Sequence, residues 1–148
     1  KVFETKQVVA DGATEIDVVM NIGWMKSGMY DEVREELAAV VAAAGGNQVK
    51  VILENAYLTK EEIVKACQLV EASGADYVKT STGFAPTGAI LEDVKLMRAS
   101  VSPKMEVKSA GGVKNLDMLL AFMDAGVKRS GASAAAAMLD EFKERFGA

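Results

Sequence analysis

Asp76-Tyr-Val-Lys-Thr-Ser-Thr82 is a short strand-like run with a charged residue, Lys79, set inside it. The same placement recurs at Asp17 in Glu15-Ile-Asp-Val-Val-Met20 and at Lys108 in Met105-Glu-Val-Lys-Ser-Ala110. Valine, isoleucine, tyrosine and threonine favour strands. A buried strand is a costly place for an ion, which must be paired or change its protonation state. Three such placements in a chain of 148 residues point to a reaction centre rather than to packing.

Outward from these runs the chain alternates regularly. Strand-like segments fall at about 14–20, 48–54, 76–82, 105–109 and 127–130. Helical patterns fill the gaps at about 29–44, 59–73, 89–99, 115–125 and 132–146, and a short helix from Phe3 to Ala10 leads in. Thr59 and Glu62 have the spacing of a capping box, in which each side chain satisfies a free backbone donor of the other. Ile63, Cys67 and Val70 follow as one apolar stripe at helical spacing. Gly74, Gly126 and the Gly45-Gly46 pair come after helical segments, where a left-handed residue is easiest for glycine.

Strand–helix alternation with short connectors predicts βαβ units and a parallel sheet. Five parallel strands with outer helices fit a doubly wound sheet or part of a (β/α)8 barrel. The charges favour the barrel, because Asp17, Lys79 and Lys108 lie on the first, third and fourth strands, two of them near the carboxyl end where barrel enzymes assemble their sites. No Gly-x-Gly-x-x-Gly follows the first strand, which withdraws support from a dinucleotide-binding fold. The expected class is α/β, a parallel (β/α) half-barrel of five strands with outer helices, taken as one truncated barrel domain over residues 1–148.

Composition narrows the chemistry. Half the residues are hydrophobic and 26% are charged, the balance of an ordinary globular protein. A net charge of −4 offers no basic surface for nucleic acid and no polybasic stretch for a membrane. No apolar run approaches the roughly 20 residues that span a bilayer. The chain starts at Lys1 rather than methionine, which reads as a fragment, a trimmed chain or a chain whose first residues are missing. The single cysteine, Cys67, cannot form an internal disulfide, so a cytoplasmic location is expected. Its helical setting reads as a packed thiol rather than a nucleophile. With no histidine and one cysteine, the usual zinc ligand sets and the serine–histidine and cysteine–histidine pairs are absent. Lysine, carboxylate and hydroxyl groups remain.

A lysine in a buried strand is a good amine nucleophile. Desolvation and a neighbouring cation lower its pKa and free the amine to form a Schiff base with a carbonyl. Lys79 and Lys108 sit on sequential strands, which in a parallel sheet are neighbours about 5 Å apart. Asp17 supplies a carboxylate for proton transfer or for holding a water. Lys50, in Val49-Lys-Val-Ile-Leu53, reads instead as a strand lysine that reaches solvent. Gly111-Gly112 follows the fourth strand, and Gly131-Ala-Ser133 follows the fifth and opens the last helix. Such turns, with a helix N-terminus, make an anion site. Beside a candidate Schiff-base lysine they favour a phosphorylated carbonyl substrate, with Lys114 either a counter-charge or a solvated lysine. Met97, Met118 and Met123 read as core packing. Met138, Leu139 and Phe142 read as the docked face of the last helix. Trp24 and Met25 fall in the loop after the first strand, lining a pocket or simply packing.

Val78-Lys-Thr-Ser-Thr-Gly-Phe84, Val107-Lys-Ser-Ala-Gly-Gly-Val113 and Arg129-Ser-Gly-Ala-Ser133 together resemble the deoxyribose-phosphate aldolase family. The likeness extends through Phe3-Glu-Thr-Lys6, Glu15-Ile-Asp-Val-Val19, Leu58-Thr-Lys-Glu-Glu62 and Leu91-Glu-Asp-Val-Lys-Leu-Met97, nearly the whole chain. It implies a cofactor-free class I aldolase on a (β/α)8 barrel. That reaction splits 2-deoxyribose 5-phosphate reversibly into glyceraldehyde 3-phosphate and acetaldehyde. The partners implied are small aldehydes and sugar phosphates. The resemblance further implies Lys79 as the Schiff-base lysine, Lys108 as the lysine that perturbs it, and Asp17 as the carboxylate of the proton relay. Gly83, Gly111, Gly112, Gly131 and Ser133 match positions around the phosphate.

The departures from the family are specific. Its first three strands, with an aspartate and a cysteine near the site, have no counterpart, so the chain resembles strands four to eight. The tail tyrosine of some members is absent. Ser130 replaces a usual apolar residue, and Ile90 stands where a helix-capping threonine is common, a loss of about 1 kcal/mol. Five strands cannot close an eight-stranded barrel. The expectation is therefore an exposed apolar inner face, two unpaired sheet edges, weak activity and a homo-oligomer that covers the gap. The rival readings are a catalytically impaired remnant that binds a phosphorylated ligand or serves in assembly, and a fragment of a longer enzyme.

Overall fold

The computed structural model describes residues 1–147. Five short strands carry the alternation: β1 (Glu15–Val19), β2 (Gln48–Ile52), β3 (Tyr77–Lys79), β4 (Glu106–Ala110) and β5 (Arg129–Gly131). They form one all-parallel sheet in sequence order. Helices α1 (Val2–Ala10), α2 (Ile22–Lys26), α3 (Tyr30–Ala43), α4 (Lys60–Ala72), α5 (Leu91–Ala99), α6 (Leu116–Asp124) and α7 (Ala135–Phe146) connect and flank them. This is the expected α/β arrangement. No helix among the described residues is long and apolar enough to cross a membrane.

Local signals act as predicted. The Thr59 side chain accepts from the Glu62 amide and the Glu62 carboxylate accepts from the Thr59 amide, which starts α4. Gly45, Gly46, Gly74 and Gly126 take positive φ beyond helix ends. Ile90 caps α5 without a side-chain hydrogen bond. The segment after β1 departs from the expected loop: Asn21 accepts from the Trp24 amide and caps the five-residue α2, burying Met25. The last helix also begins later than expected, at Ala135.

Strand periodicity divides the sheet into two unlike faces. Val49, Val51, Val78 and Val107 point one way and are fully buried against the helices, with Val33, Leu37, Ile63, Val70 and Met97. Glu15, Asp17, Lys50, Tyr77, Lys79, Lys108 and Arg129 alternate onto the other face. That face is concave. In a flat sheet β1 and β5 would stand four strand spacings apart, about 19 Å. Yet Arg129 of β5 donates to Glu15 of β1 at 2.6 Å, so the sheet curls into an arc of a barrel.

This polar face corrects the expectation of an apolar one. Most apolar strand residues face the helix layer, and period-two alternation leaves the charges on the inside, with Val19, Ile52 and Ala110 beside them. Two packing expectations on the helices also fail: Met123 and Leu139 are exposed, on the lips of an apolar groove between α6 and α7 that Leu120 and Phe142 also line. Met97 and Met138 are buried as expected. Ser130, unusual in a strand, is satisfied by Ser109, whose Oγ lies 2.7 Å from its own.

Candidate active site

Lys79 is the last residue of β3, and its partner across the ladder to β4 is Lys108. Asp17 comes from the middle of β1, two strands away, and the curl of the sheet brings it to them. Lys79 Nζ donates to Asp17 Oδ2 at 2.6 Å, and Lys108 Nζ lies 3.7 Å from the same oxygen. The side chains of Lys79 and Lys108 are only 11% and 19% exposed, against 34% for Asp17. The three charges singled out in the sequence are thus one cluster.

A fourth charge joins them. Lys50, expected to reach solvent, is 1% exposed. Its ammonium donates to Glu15 Oε2 at 2.5 Å and lies 3.3 Å from Asp17 Oδ1. Asp17 therefore turns one oxygen to Lys50 and the other to Lys79 and Lys108. Glu15 is tied in turn to Arg129, and both cations approach the ring of buried Tyr77, at 5.9 Å for Lys50 and 5.2 Å for Arg129. Only the Lys50 ammonium of this group is removed from water, and the two carboxylates satisfy it. The signal for this floor is in the sequence: Glu15 and Asp17, Gln48 and Lys50, and Glu106 and Lys108 are polar pairs two residues apart, the spacing of one strand face.

The electrostatics follow from the packing. Burial works against ionisation of Asp17, but the hydrogen bond and charge of Lys79, with Lys108 and Lys50, outweigh it and hold the carboxyl below its ordinary value. Hydrogen bonds from Lys50 and Arg129 draw Glu15 down to about 2. Burial, reinforced by the like charges of Lys79 and Lys50, pushes the Lys108 ammonium below the usual lysine range despite Asp17. Cys67 stands apart: burial raises its thiol to about 12, which makes it a poor nucleophile.

Above the lysines opens a cavity of about 600 Å³. Lys79 and Lys108 line it, and so do all five residues expected around a phosphate: Gly83, Gly111, Gly112, Gly131 and Ser133. Gly83, Gly111 and Gly112 hold φ of 102°, 77° and 74°, left-handed values that a side chain resists. Gly88 packs so closely on Gly111 that an added Cβ would lie 2.1 Å from the Gly111 carbonyl oxygen. Lys114 is exposed and joins the lining. Ala134 caps α7 without a side-chain hydrogen bond, which leaves the first amides of that helix open to an anion at the cavity wall. Asp17 is not on this wall. It stands behind the lysines and faces a second hollow between β1 and α1.

Comparison with known proteins gives a consistent result. Residues 1–144 match the model of the DeoC/LacD family aldolases. The chain is 54% identical over 140 residues to a deoxyribose-phosphate aldolase of Streptococcus suis (strain 98HAH33), covering 95% of this chain and 64% of that one. It therefore spans just under two thirds of the length of that curated relative. Among solved structures, the aldolase QR15 superposes with a TM-score of 0.91 at 41% identity, covering 97% of this chain and 65% of the other. The tetrameric deoxyribose phosphate aldolase of Aeropyrum pernix gives 0.87 at 31% identity, covering 98% and 62%.

Proposed function

The chain belongs to the DeoC/LacD aldolase family, and from that premise we propose that it is a class I aldolase with Lys79 as the Schiff-base lysine. Its substrate is 2-deoxyribose 5-phosphate, cleaved to glyceraldehyde 3-phosphate and acetaldehyde or made from them. The observation that carries the proposal is the contact of Lys79 Nζ with Asp17 Oδ2 at 2.6 Å, with Lys108 on the same oxygen, beneath a glycine-lined cavity.

The chemistry runs on groups within reach. The Lys79 ammonium, held in place by Asp17, passes its proton to water in the cavity, and the freed amine attacks C1 of the open-chain sugar. Lys108, whose ammonium is pushed toward neutrality by burial and by Lys79, gives a proton to the carbinolamine hydroxyl, which leaves as water. The resulting iminium accepts the electron pair of the C2–C3 bond as the C3 hydroxyl gives its proton to the Lys108 amine left by the previous step. Glyceraldehyde 3-phosphate departs and an enamine remains on Lys79. Protonation of that enamine at carbon and addition of water release acetaldehyde and restore the amine. No step needs a cofactor. The amides around Gly83, Gly111, Gly112, Gly131 and Ser133 hold the phosphate at the far end of the cavity, with Lys114 as counter-charge.

Borohydride reduction in the presence of acetaldehyde tests this. One ethyl group on Lys79 is the expected product, and Lys79→Leu takes up none. A wild-type protein that gains no adduct, or a Lys79→Leu variant that gains the same adduct, defeats the proposal.

We further propose that the protein self-associates and works in the cytoplasm. The apolar groove between α6 and α7, with Met123 and Leu139 on its lips, supports an interface with a second copy. The buried reduced thiol of Cys67 suits a reducing compartment. Sedimentation at micromolar concentration decides the first point, where a monomer mass refutes it.

A further inference from the structure

Glu54 bears two costs at once. It follows β2 with φ 56° and ψ 63°, the one positive-φ residue other than glycine among the described residues. Its side chain is also buried, at 5% exposure, with no lysine or arginine within ion-pair distance among the described residues. A left-handed turn is made most cheaply by glycine, and an unpaired buried carboxylate is unfavourable. Strain and buried charge on one residue are the mark of a functional constraint.

The carboxylate spends its acceptors on a single neighbour. Both oxygens accept from the Thr82 amide, at 3.1 and 3.3 Å, and Oε2 also accepts from the Thr82 hydroxyl. That hydroxyl accepts in turn from the Phe84 amide at 3.1 Å, which closes the turn around Gly83. On either side of Glu54 the backbone is pinned to the same segment. The Leu53 amide donates to the Lys79 carbonyl at 2.9 Å, and the Asn55 amide donates to the Thr80 carbonyl at 3.0 Å. Glu54 is thus fastened to the stretch that runs from Lys79 to Gly83.

We propose that Glu54 is a positioning residue that locks the Thr82–Phe84 turn and so sets the Gly83 side of the anion cradle. It selects for the phosphorylated end of the substrate rather than for the aldehyde. The proposal rests on the aldolase reading of the cavity, yet its test is separate. The probe is inorganic phosphate, titrated against the amide resonances of Gly83, Gly111 and Gly112. In Glu54→Gly the left-handed strain is relieved, so the variant stays folded while the latch is gone.

Its phosphate affinity is expected to fall about tenfold. The KM for glyceraldehyde 3-phosphate should rise by a similar factor while kcat changes less than about twofold. Glu54→Gln still accepts from the Thr82 amide and recovers most of the affinity. Thr82→Val alone reproduces the loss, and the Glu54→Gly/Thr82→Val double variant loses no more than either single one, because the two groups act as one latch. A folded Glu54→Gly protein that binds phosphate as tightly as the wild type overturns the proposal, and so do additive losses in the double variant. Failure of acetaldehyde trapping in the wild type defeats the aldolase reading instead, and leaves the phosphate titration to judge Glu54.

Discussion

Lys50→Met removes the ammonium wedged between Glu15 and Asp17 and keeps most of its apolar stem. Breaking a buried ion pair costs about 3–5 kcal/mol when the surviving charge is left alone. Here neither carboxylate is left alone. Glu15 keeps Arg129 and Asp17 keeps Lys79, each at 2.6 Å, and both carboxylates retain surface in water. Screening and these second partners reduce the expected loss to about 1–2 kcal/mol. For a chain of this length that is a fall of roughly 2–8 °C in unfolding temperature.

The electrostatics change in a defined direction as well. Asp17 loses one of three cations that hold its carboxyl down, so its ionisation climbs toward the ordinary carboxylate range. Lys108 loses a like-charged neighbour and its ammonium becomes harder to deprotonate, so acetaldehyde trapping shifts to higher pH. Thermal unfolding at neutral pH and the pH profile of borohydride trapping are the assays. A Lys50→Met protein that melts within about 1 °C of wild type, with an unmoved trapping profile, would falsify the role assigned to this lysine.

Acid should weaken the fold through the same floor. Glu15 ionises at about 2 in the folded chain against an ordinary 4.5, and a carboxyl lowered by folding stabilises above its unfolded value. That contribution disappears as pH falls from about 4.5 toward 2, so unfolding temperature drops across this window, and less steeply in Glu15→Gln. Equal slopes for the two proteins would contradict the assignment. Gly88→Ala would drive a methyl into the Gly111 backbone, which cannot swing aside, at a cost of about 1–3 kcal/mol. Its denaturation midpoint should fall and its Gly111 amide should shift; an unchanged midpoint refutes the close packing. Ile90→Thr supplies the missing cap of α5 at an extended residue and should gain about 1 kcal/mol, read as a higher urea midpoint at constant slope.

Particular residues show where the chain itself was informative. The Thr59–Glu62 box and the glycines after helices announce element ends through contacts made within a few residues, and these are found in place. Asp17, Lys79 and Lys108 were conspicuous because each is a charge inside an apolar run, and they meet in space. Lys50 carries the same signal, but its partners Glu15 and Asp17 lie 35 and 33 positions away in sequence, so nothing local marks it as buried rather than solvated. Glu54 gave no signal at all, since a left-handed φ at a glutamate is imposed from outside by Thr82 and the β3 segment.

Order of elements and the two-sidedness of each strand were properties of the chain alone. Capping, turn preference and the two-residue pleat are settled between near neighbours. Which side became concave, and which charges touch, belonged to the folded sheet. Its curl brings β5 to β1 through Arg129 and Glu15, and it turns a ladder of separate polar residues into one ion cluster beneath a cavity. Distances across strands depend on register and coiling summed over the whole sheet, and no local run of residues carries that sum.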